Sequence, residues 1–227
     1  MRSFTILLLL LTSTPFLYSQ KNTFISYEIG LSHTKYSFHG NTDLTLSTRV
    51  ETAIPMGLIT QEITKNFYVE TGYTTDYTVF SFVDKTADKE YWYSLFYRNG
   101  KQIPLRVQFR LPLFNHKFSL YTLSGVSYSF GLKENNLGMN NNDYFTVTDF
   151  YMQRDFFLGQ LGVGLDFNCG KNIYIGVKFQ RDFAFQDTVD IKGYIENQTP
   201  FSIRHRAHAS MFSFRVGYRI SSLWNTN

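Results

Sequence analysis

Three segments of the chain share one pattern, in which apolar and polar residues alternate, a tight turn containing Asn or Lys follows, and the alternation resumes. They are residues 53–73, 103–130 and 161–179. Alternation with a period of two places apolar side chains on one face of a β-strand and polar side chains on the other. Such strands suit a wall between lipid and a polar interior, and their repetition predicts an all-β, antiparallel transmembrane β-barrel.

The N-terminal residues 1–19 have the three parts of a secretory signal peptide. Arg2 supplies a short positive region, residues 6–11 form an unbroken apolar run, and residues 12–19, which contain Pro15, form the region before the expected cleavage site. The apolar run is too short for a membrane-spanning helix, which needs about 20 residues. We expect cleavage near Ser19, so that residues 20–227 form one outer-membrane barrel domain.

Composition agrees with a barrel and argues against several other classes of protein. The chain contains 23 Phe and 16 Tyr, more than a soluble sandwich exposes, whereas a barrel places such residues in girdles at both membrane interfaces. The net charge is +4, and no basic run interleaved with aromatics indicates nucleic-acid binding. The single cysteine, Cys169, cannot form an internal disulfide.

We predict eight strands, with a ten-stranded barrel as the alternative. The predicted strands are residues 24–38, 50–63, 67–82, 101–111, 118–132, 150–167, 173–185 and 207–220. Short turns alternate with long connections, as periplasmic turns alternate with outer loops in such barrels. The short turns are residues 64–66, 112–117 and 168–172, and the long connections are residues 39–49, 83–100, 133–149 and 186–206.

Two places in this assignment stay open. Residues 83–100 contain an aromatic stretch and the pair Asn99-Gly100, which is a strong hairpin signal and the origin of the ten-stranded alternative. We interpret the segment as a strand-like excursion above the membrane. In the second predicted strand the inward face is ambiguous, because Met56 and Leu58 fall opposite Ile59. Pro55 makes a bulge plausible there, since it cannot donate to the ladder.

Charged residues on the polar faces of the strands are the candidate site residues. In hydrocarbon these charges would be costly, so the alternation places them in the lumen. They are Glu28, Glu70, Asp76, Arg106, Arg110, Asp166, Lys178, Asp182, Arg215 and Arg219. An eight-stranded barrel is just wide enough for side chains to fill it, so we expect a structural network of ion pairs with Tyr and Gln side chains between them. A narrow polar conduit is the alternative.

The sequence indicates no catalytic, metal or cofactor site. His205 and His208 lie three residues apart, which on a strand places their side chains on opposite faces and makes a poor metal clamp. No G-x-S-x-G elbow accompanies the five histidines. We therefore expect no catalytic residues, no metal ligands and no cofactor, and hence no enzyme.

The alternating segments resemble the PorT-like outer-membrane barrels of Bacteroidota. The shared elements are an Ile-Pro-Met or Ile-Pro-Leu entry to a strand, a Lys-Asn turn and a Gly-containing strand that follows, in residues 54–73, 103–130 and 161–181. The resemblance covers nearly all of the mature chain and is loosest over residues 83–100 and after Ile220. It implies an integral outer-membrane barrel, and for PorT itself a part in type IX protein secretion. It supplies no catalytic residue.

From these patterns we expect an outer-membrane protein of a Gram-negative bacterium that contacts lipid and no nucleic acid. Three hypotheses for its function follow. The first is a structural or interaction protein, or an accessory subunit of an envelope complex such as a secretion complex. The second is a narrow passive pore for small solutes, and the third is a lipid-modifying barrel enzyme. The sequence identifies neither the protein partner nor a small-molecule ligand.

Overall fold

The computed structural model of the chain describes residues 22–39, 45–46, 50–84, 91–135, 145–153, 155–187, 189–195 and 199–220. The regular structure within them is entirely β. The strands are β1 Thr23–His39, β2 Thr45–Leu46, β3 Val50–Thr64, β4 Phe67–Asp84, β5 Tyr91–Leu113, β6 Phe118–Asn135, β7 Phe145–Met152, β8 Phe156–Asn168, β9 Ile173–Ala184, β10 Val189–Ile195 and β11 Thr199–Arg219. The described part of the chain contains no helix that is long and apolar enough to cross a membrane.

Eight of these strands form a closed antiparallel barrel. In the order β1, β3, β4, β5, β6, β8, β9 and β11, each strand pairs with the next, and β11 pairs back with β1. The closing pair is long, from Phe24 opposite Arg219 to His39 opposite Arg204. Closure satisfies the backbone groups that an open sheet edge would leave unpaired in lipid. The prediction of eight strands is confirmed, and the ten-stranded alternative is wrong.

Inward-facing and outward-facing side chains alternate along every strand of the barrel. On β5 the side chain of Val107 is 51% exposed on the outside, whereas that of Gln108 is fully buried inside. On β3 the ambiguity resolves with Met56 and Leu58 buried inside and Ile59 exposed outside. The pairing of β1 with β3 shifts register between Gly30 and Ser32, just beyond Pro55. This irregularity lies where the sequence made a bulge plausible.

Three short turns mark one end of the barrel, and they lie where the sequence predicted them. They are residues 65–66, 114–117 and 169–172. Asn66 takes a positive φ of 72°, a conformation that Asn tolerates better than most residues. Since short turns lie on the periplasmic side of outer-membrane barrels, this end is periplasmic and the opposite end is the outer one.

Aromatic side chains bracket the apolar exterior at two levels. Near the periplasmic turns, Phe67 packs on Phe109 and Phe118 packs on Phe167, each pair with ring centroids 5.1 Å apart. Towards the outer end, Tyr128 lies 5.0 Å from Phe157 between ring centroids. The exposed apolar side chains between these levels form the band that hydrocarbon covers.

The pair Asn99-Gly100 does not form the hairpin that its sequence favours. It lies within β5, which runs unbroken from Tyr91 to Leu113 and pairs with β4 on one side and β6 on the other. The register of β5 against β6 shifts between Asn99 and Lys101, so the glycine sits at an irregularity instead of a turn. Partners on both sides provide more hydrogen bonds than a local turn would, and the long-range ladder therefore prevails.

The outer end contains more strand than the sequence predicted. The predicted strand 150–167 is two strands, because β7 ends at Met152 and pairs with β10, whereas β8 begins at Phe156 and pairs with β6. The predicted outer loop 186–206 contains β10 and the start of β11, which pair with each other. Together β7, β10 and the first part of β11 form a three-stranded ribbon beyond the barrel wall. Alternating β-branched residues such as Val189, Ile191 and Ile195 favour it.

Candidate functional site: the polar interior of the barrel

Charged side chains from opposite walls of the barrel meet in its interior. Glu28 on β1, Glu70 on β4 and Asp166 on β8 are buried there with four cations. The cations are Arg106, Arg110, Lys178 and Arg215. Each occupies an inward position of its strand, and ring closure brings residues as distant in sequence as Glu28 and Arg215 into contact.

Arg215 is the centre of this network. Its Nη1 atom lies 3.5 Å from Glu28 Oε1 and 3.4 Å from Glu70 Oε2. Its Nε atom donates a hydrogen bond of 2.8 Å to Asp166 Oδ1, and Nη2 contacts the other oxygen of the same carboxylate. One guanidinium therefore holds carboxylates from three strands, and the Asp166 contact is bidentate, the geometry that Arg favours.

Glu70 collects donors from neighbouring strands. Arg106 Nη1 donates to Glu70 Oε1 at 2.9 Å, and Gln108 Nε2 donates to Glu70 Oε2 at 2.6 Å. The hydroxyl of Thr60 on β3 lies 3.1 Å from the same Oε2 atom. Across the lumen, Lys178 forms an ion pair with Glu28. Both glutamates are completely buried, and both are paired with cations.

Amide side chains extend the network towards the outer end. Arg106 Nε donates to Gln160 Oε1 at 2.8 Å, and Gln160 Nε2 donates to Asp182 Oδ1 at 3.2 Å. Gln180 Nε2 also donates to Asp182, at 2.6 Å. Asp182 is half-buried by its accessible surface and lies at the margin of the network.

Aromatic rings close the network on the periplasmic side. Arg110 lies 3.2 Å from Asp166 and donates to Gln108 Oε1 at 2.9 and 2.7 Å. Its guanidinium carbon sits 4.8 Å from the ring centre of Tyr68. The guanidinium carbon of Arg215 sits 4.5 Å from the ring centre of Tyr121. These cation–π contacts stabilise the arginines away from water.

Glycines leave the space that the tyrosine rings occupy. A Cβ atom added at Gly164 would lie 2.2 Å from the ring of Tyr121, and one added at Gly217 would lie 2.1 Å from the ring of Tyr174. Both tyrosines are buried, and their hydroxyls have no hydrogen-bond partner among the described residues. The rings therefore fill the lumen by packing across it.

The predicted site residues fall into three groups. Seven are buried in the network: Glu28, Glu70, Arg106, Arg110, Asp166, Lys178 and Arg215. Asp182 lies at the outer margin of this network, and Arg219 lies at the periplasmic mouth with its guanidinium carbon 5.2 Å from the ring centre of Phe24. Asp76 is on β4 opposite Gly100, and its side chain is outside the described part of the structure.

The predicted site residues are all charged, so they leave out the neutral members of the network. Gln108, Gln160 and Thr60 occupy inward positions and bond to the charged groups. The signal was present in the sequence, because the same alternation that places Arg106 and Arg110 in the lumen also places Gln108 there. Polar residues of any kind on the inward face of a narrow barrel are candidates for such a network.

A cavity of about 250 Å³ opens at the periplasmic mouth. Arg110, Asp166 and Tyr174 line it, and these same residues belong to the packed network. The cavity is thus a vestibule in front of the filled section of the lumen.

Within the described residues, no group of three His, Cys, Asp or Glu side chains is placed to hold a metal ion. His116 lies on a periplasmic turn, whereas His33 and His208 lie in the outer half of the barrel. The side chains of His39 and His205 are outside the described part of the structure, and Cys169 is exposed on a periplasmic turn.

Known structures share this fold at low sequence identity. Neisserial surface protein A matches with a TM-score of 0.54 and 9% identity, over 89% of this chain and 98% of that one. The outer membrane protein AlkL, solved in lipid bilayers, matches with a TM-score of 0.55 and 13% identity, over 89% of this chain and 91% of that one. No protein family and no curated protein matches in sequence. The chain has the fold of the outer-membrane barrels of Gram-negative bacteria, and this is the membrane in which it resides.

Proposed function

We propose that this barrel is a non-catalytic structural or interaction protein of the outer membrane, acting as an accessory subunit of an envelope complex. The observation that carries the proposal is the filled lumen. Arg215 contacts carboxylates from β1, β4 and β8, so the network reaches from one wall to the others. A barrel filled in this way has no open lumen for transport, so its ends and its outer wall are the surfaces available for function.

The network favours this role over that of a passive pore. Opening a conduit would separate Arg215 from Glu28, Glu70 or Asp166 and leave a buried charge without its partner. Ion pairs are stronger in the low-dielectric interior than in water, so separating them is unfavourable. With several such pairs in one cross-section, the closed state is strongly preferred.

The outer ribbon supplies a surface suited to a protein partner. Within the described residues β7 pairs with β10 alone, so its other edge carries backbone donors and acceptors that a further strand can use. Tyr151 on β7 is 66% exposed, and aromatic side chains of this kind are common anchors at interfaces. The ribbon therefore offers both a strand edge and an anchor side chain beyond the membrane.

The resemblance to PorT-like barrels supports a protein-secretion complex as the assembly in which such a subunit works. This part of the proposal depends on the sequence motifs and not on the filled lumen. If the assignment to a secretion complex fails, the proposed interaction role still stands, with another envelope protein as the partner.

Photo-crosslinking from two exposed aromatic positions tests the proposal. A photoreactive amino acid replaces Tyr151 on the ribbon, and in a matched control it replaces Phe214, which is 62% exposed on the lipid-facing wall. We expect position 151 in intact cells to form an adduct with one envelope protein, and position 214 to form none with that protein. Absence of an adduct at 151, together with a single-barrel size on a native gel, would contradict the accessory-subunit role.

A further inference from the structure

The lipid-facing exterior carries a groove of about 570 Å³ that the filled lumen does not explain. Two rows of side chains cross four neighbouring strands at this point. The row nearer the outer end of the barrel is Val107 on β5, Ser124 on β6, Leu161 on β8 and Arg181 on β9, each opposite the next in the strand register. The row nearer the periplasm also faces lipid and is Phe109, Thr122, Val163 and Phe179.

The groove exists because β6 contributes small side chains between larger ones. Ser124 lies between Val107 and Leu161, and Thr122 lies between Phe109 and Val163. The walls are therefore apolar and the floor is low, a shape that accepts an extended hydrocarbon chain. A position in the hydrocarbon band restricts the occupants to lipid or to another membrane-spanning segment.

Arg181 places a positive charge at the edge of this groove. It faces outward from β9 between Phe179 and Phe183, and it pairs in register with Leu161 on one side and Ser210 on the other. Among the described residues no carboxylate forms an ion pair with it. A guanidinium on the lipid face is unfavourable unless it reaches the interface or meets an anion.

The height of Arg181 places it in the outer leaflet. It lies roughly 27 Å along the strand from Ile173 at the periplasmic turn, at about 3.4 Å per residue. With a strand tilt of about 40°, this is roughly 20 Å of a band about 25 Å tall. The groove floor is on β6, two strands away, where Ser124 is in the same row as Arg181 and Thr122 is two residues nearer the periplasm, at the depth of the acyl chains beneath a headgroup.

The described surroundings of Arg181 contain no carboxylate that is placed to neutralise it. His208 lies opposite Phe183, and both Arg181 and Arg206 are close enough to act on it electrostatically. The nearby carboxylate of Asp187 is 3.2 Å from Arg206 and so is already paired. Arg181 therefore keeps its own positive charge at this interface, and that charge complements a phosphate group.

We propose that this groove binds one phosphorylated, acylated glycolipid of the outer leaflet. Its phosphate lies on the Arg181 guanidinium, and one acyl chain lies over Ser124 and Thr122 between the walls of the groove. Charge complementarity at Arg181 selects the phosphate, and the low floor of the groove selects a chain held against the barrel. The site is independent of the protein partner proposed for the outer ribbon.

Native mass spectrometry of the full-length mature protein tests this assignment, with diphosphoryl lipid A as the probe. Arg181→Gln removes the charge and Ser124→Phe fills the groove with an apolar side chain. Arg204→Gln is the matched control, since Arg204 is 63% exposed and lies on the outer ribbon. We expect one lipid A bound to the wild-type and control proteins, and affinity about tenfold lower in Arg181→Gln, the loss expected for one charge-assisted hydrogen bond.

Four further measurements test the proposal. Arg181→Lys retains the charge and is expected to recover most of the binding, and melting temperatures of all variants in detergent identify any that fail to fold. Lipid A without its phosphates is expected to bind as weakly as lipid A binds to Arg181→Gln. Equal binding of lipid A to wild type and Arg181→Gln, or equal binding of phosphatidylglycerol and lipid A to wild type, would overturn the assignment.

Discussion

At the scale of single residues, Arg215 shows what the sequence can and cannot predict. The alternation of apolar and polar residues along β11 is sufficient to place it in the lumen. Its partners Glu28, Glu70 and Asp166 could not be predicted, because they lie on three other strands and their heights depend on the register of the whole ring. Alternation identifies the face of a residue, whereas ring closure and register determine which residues it meets.

Replacing Arg215 by Met is expected to destabilise the barrel. Met keeps much of the apolar stem but leaves the Glu28, Glu70 and Asp166 carboxylates short of one buried cation. We expect a loss of about 3–5 kcal/mol in the free energy of unfolding, as found when one partner of a buried pair is removed. Urea-dependent folding in lipid vesicles measures this loss.

The matched control for that experiment is Arg204→Gln, since the ion pair of Arg204 with Asp190 is 3.8 Å long and exposed. We expect the control to change stability by less than about 1 kcal/mol. If Arg215→Met and Arg204→Gln had equal, small effects, Arg215 would not be the centre of the network.

At the scale of strands, the sequence predicted the ring well and the outer end less well. Within the membrane one face of each strand must be apolar, so period-two alternation is enforced and visible. Beyond the membrane this requirement ends, and β5 continues through Asn99-Gly100 while β10 forms within a stretch that had the composition of a loop. These extensions depend on pairing with neighbouring strands, which local sequence alone does not determine.

Val107→Arg tests the assignment of the wall on β5. Val107 faces lipid on the outside, and a charge at the bilayer midplane costs about 2–4 kcal/mol. We expect this variant to fold less stably into lipid vesicles by that amount, as measured by urea titration. Ser119→Arg is the control, because Ser119 lines the periplasmic vestibule, where the added guanidinium can reach water. Equal stability of the two variants would show that β5 is assigned to the wrong face.

At the scale of the whole molecule, a closed ring and a filled lumen act together. Eight strands give an interior that side chains can span, and the buried ion network fixes the walls relative to one another. The apolar exterior belongs to the membrane, so the ends and the lipid-facing groove at Arg181 remain for recognition. The sequence predicted the ring and the polar lumen, but not the ribbon or the groove, because both arise where separate strands lie side by side.

Conductance in planar lipid bilayers tests the filled lumen most directly. The purified barrel is inserted, and ionic current is recorded at steady voltage for wild type and for Arg215→Met. We predict that the wild-type barrel shows no steady conductance, because ion pairs from β1, β4, β8 and β11 occupy its cross-section. A stable open state of nanosiemens size in the wild-type protein would contradict the account.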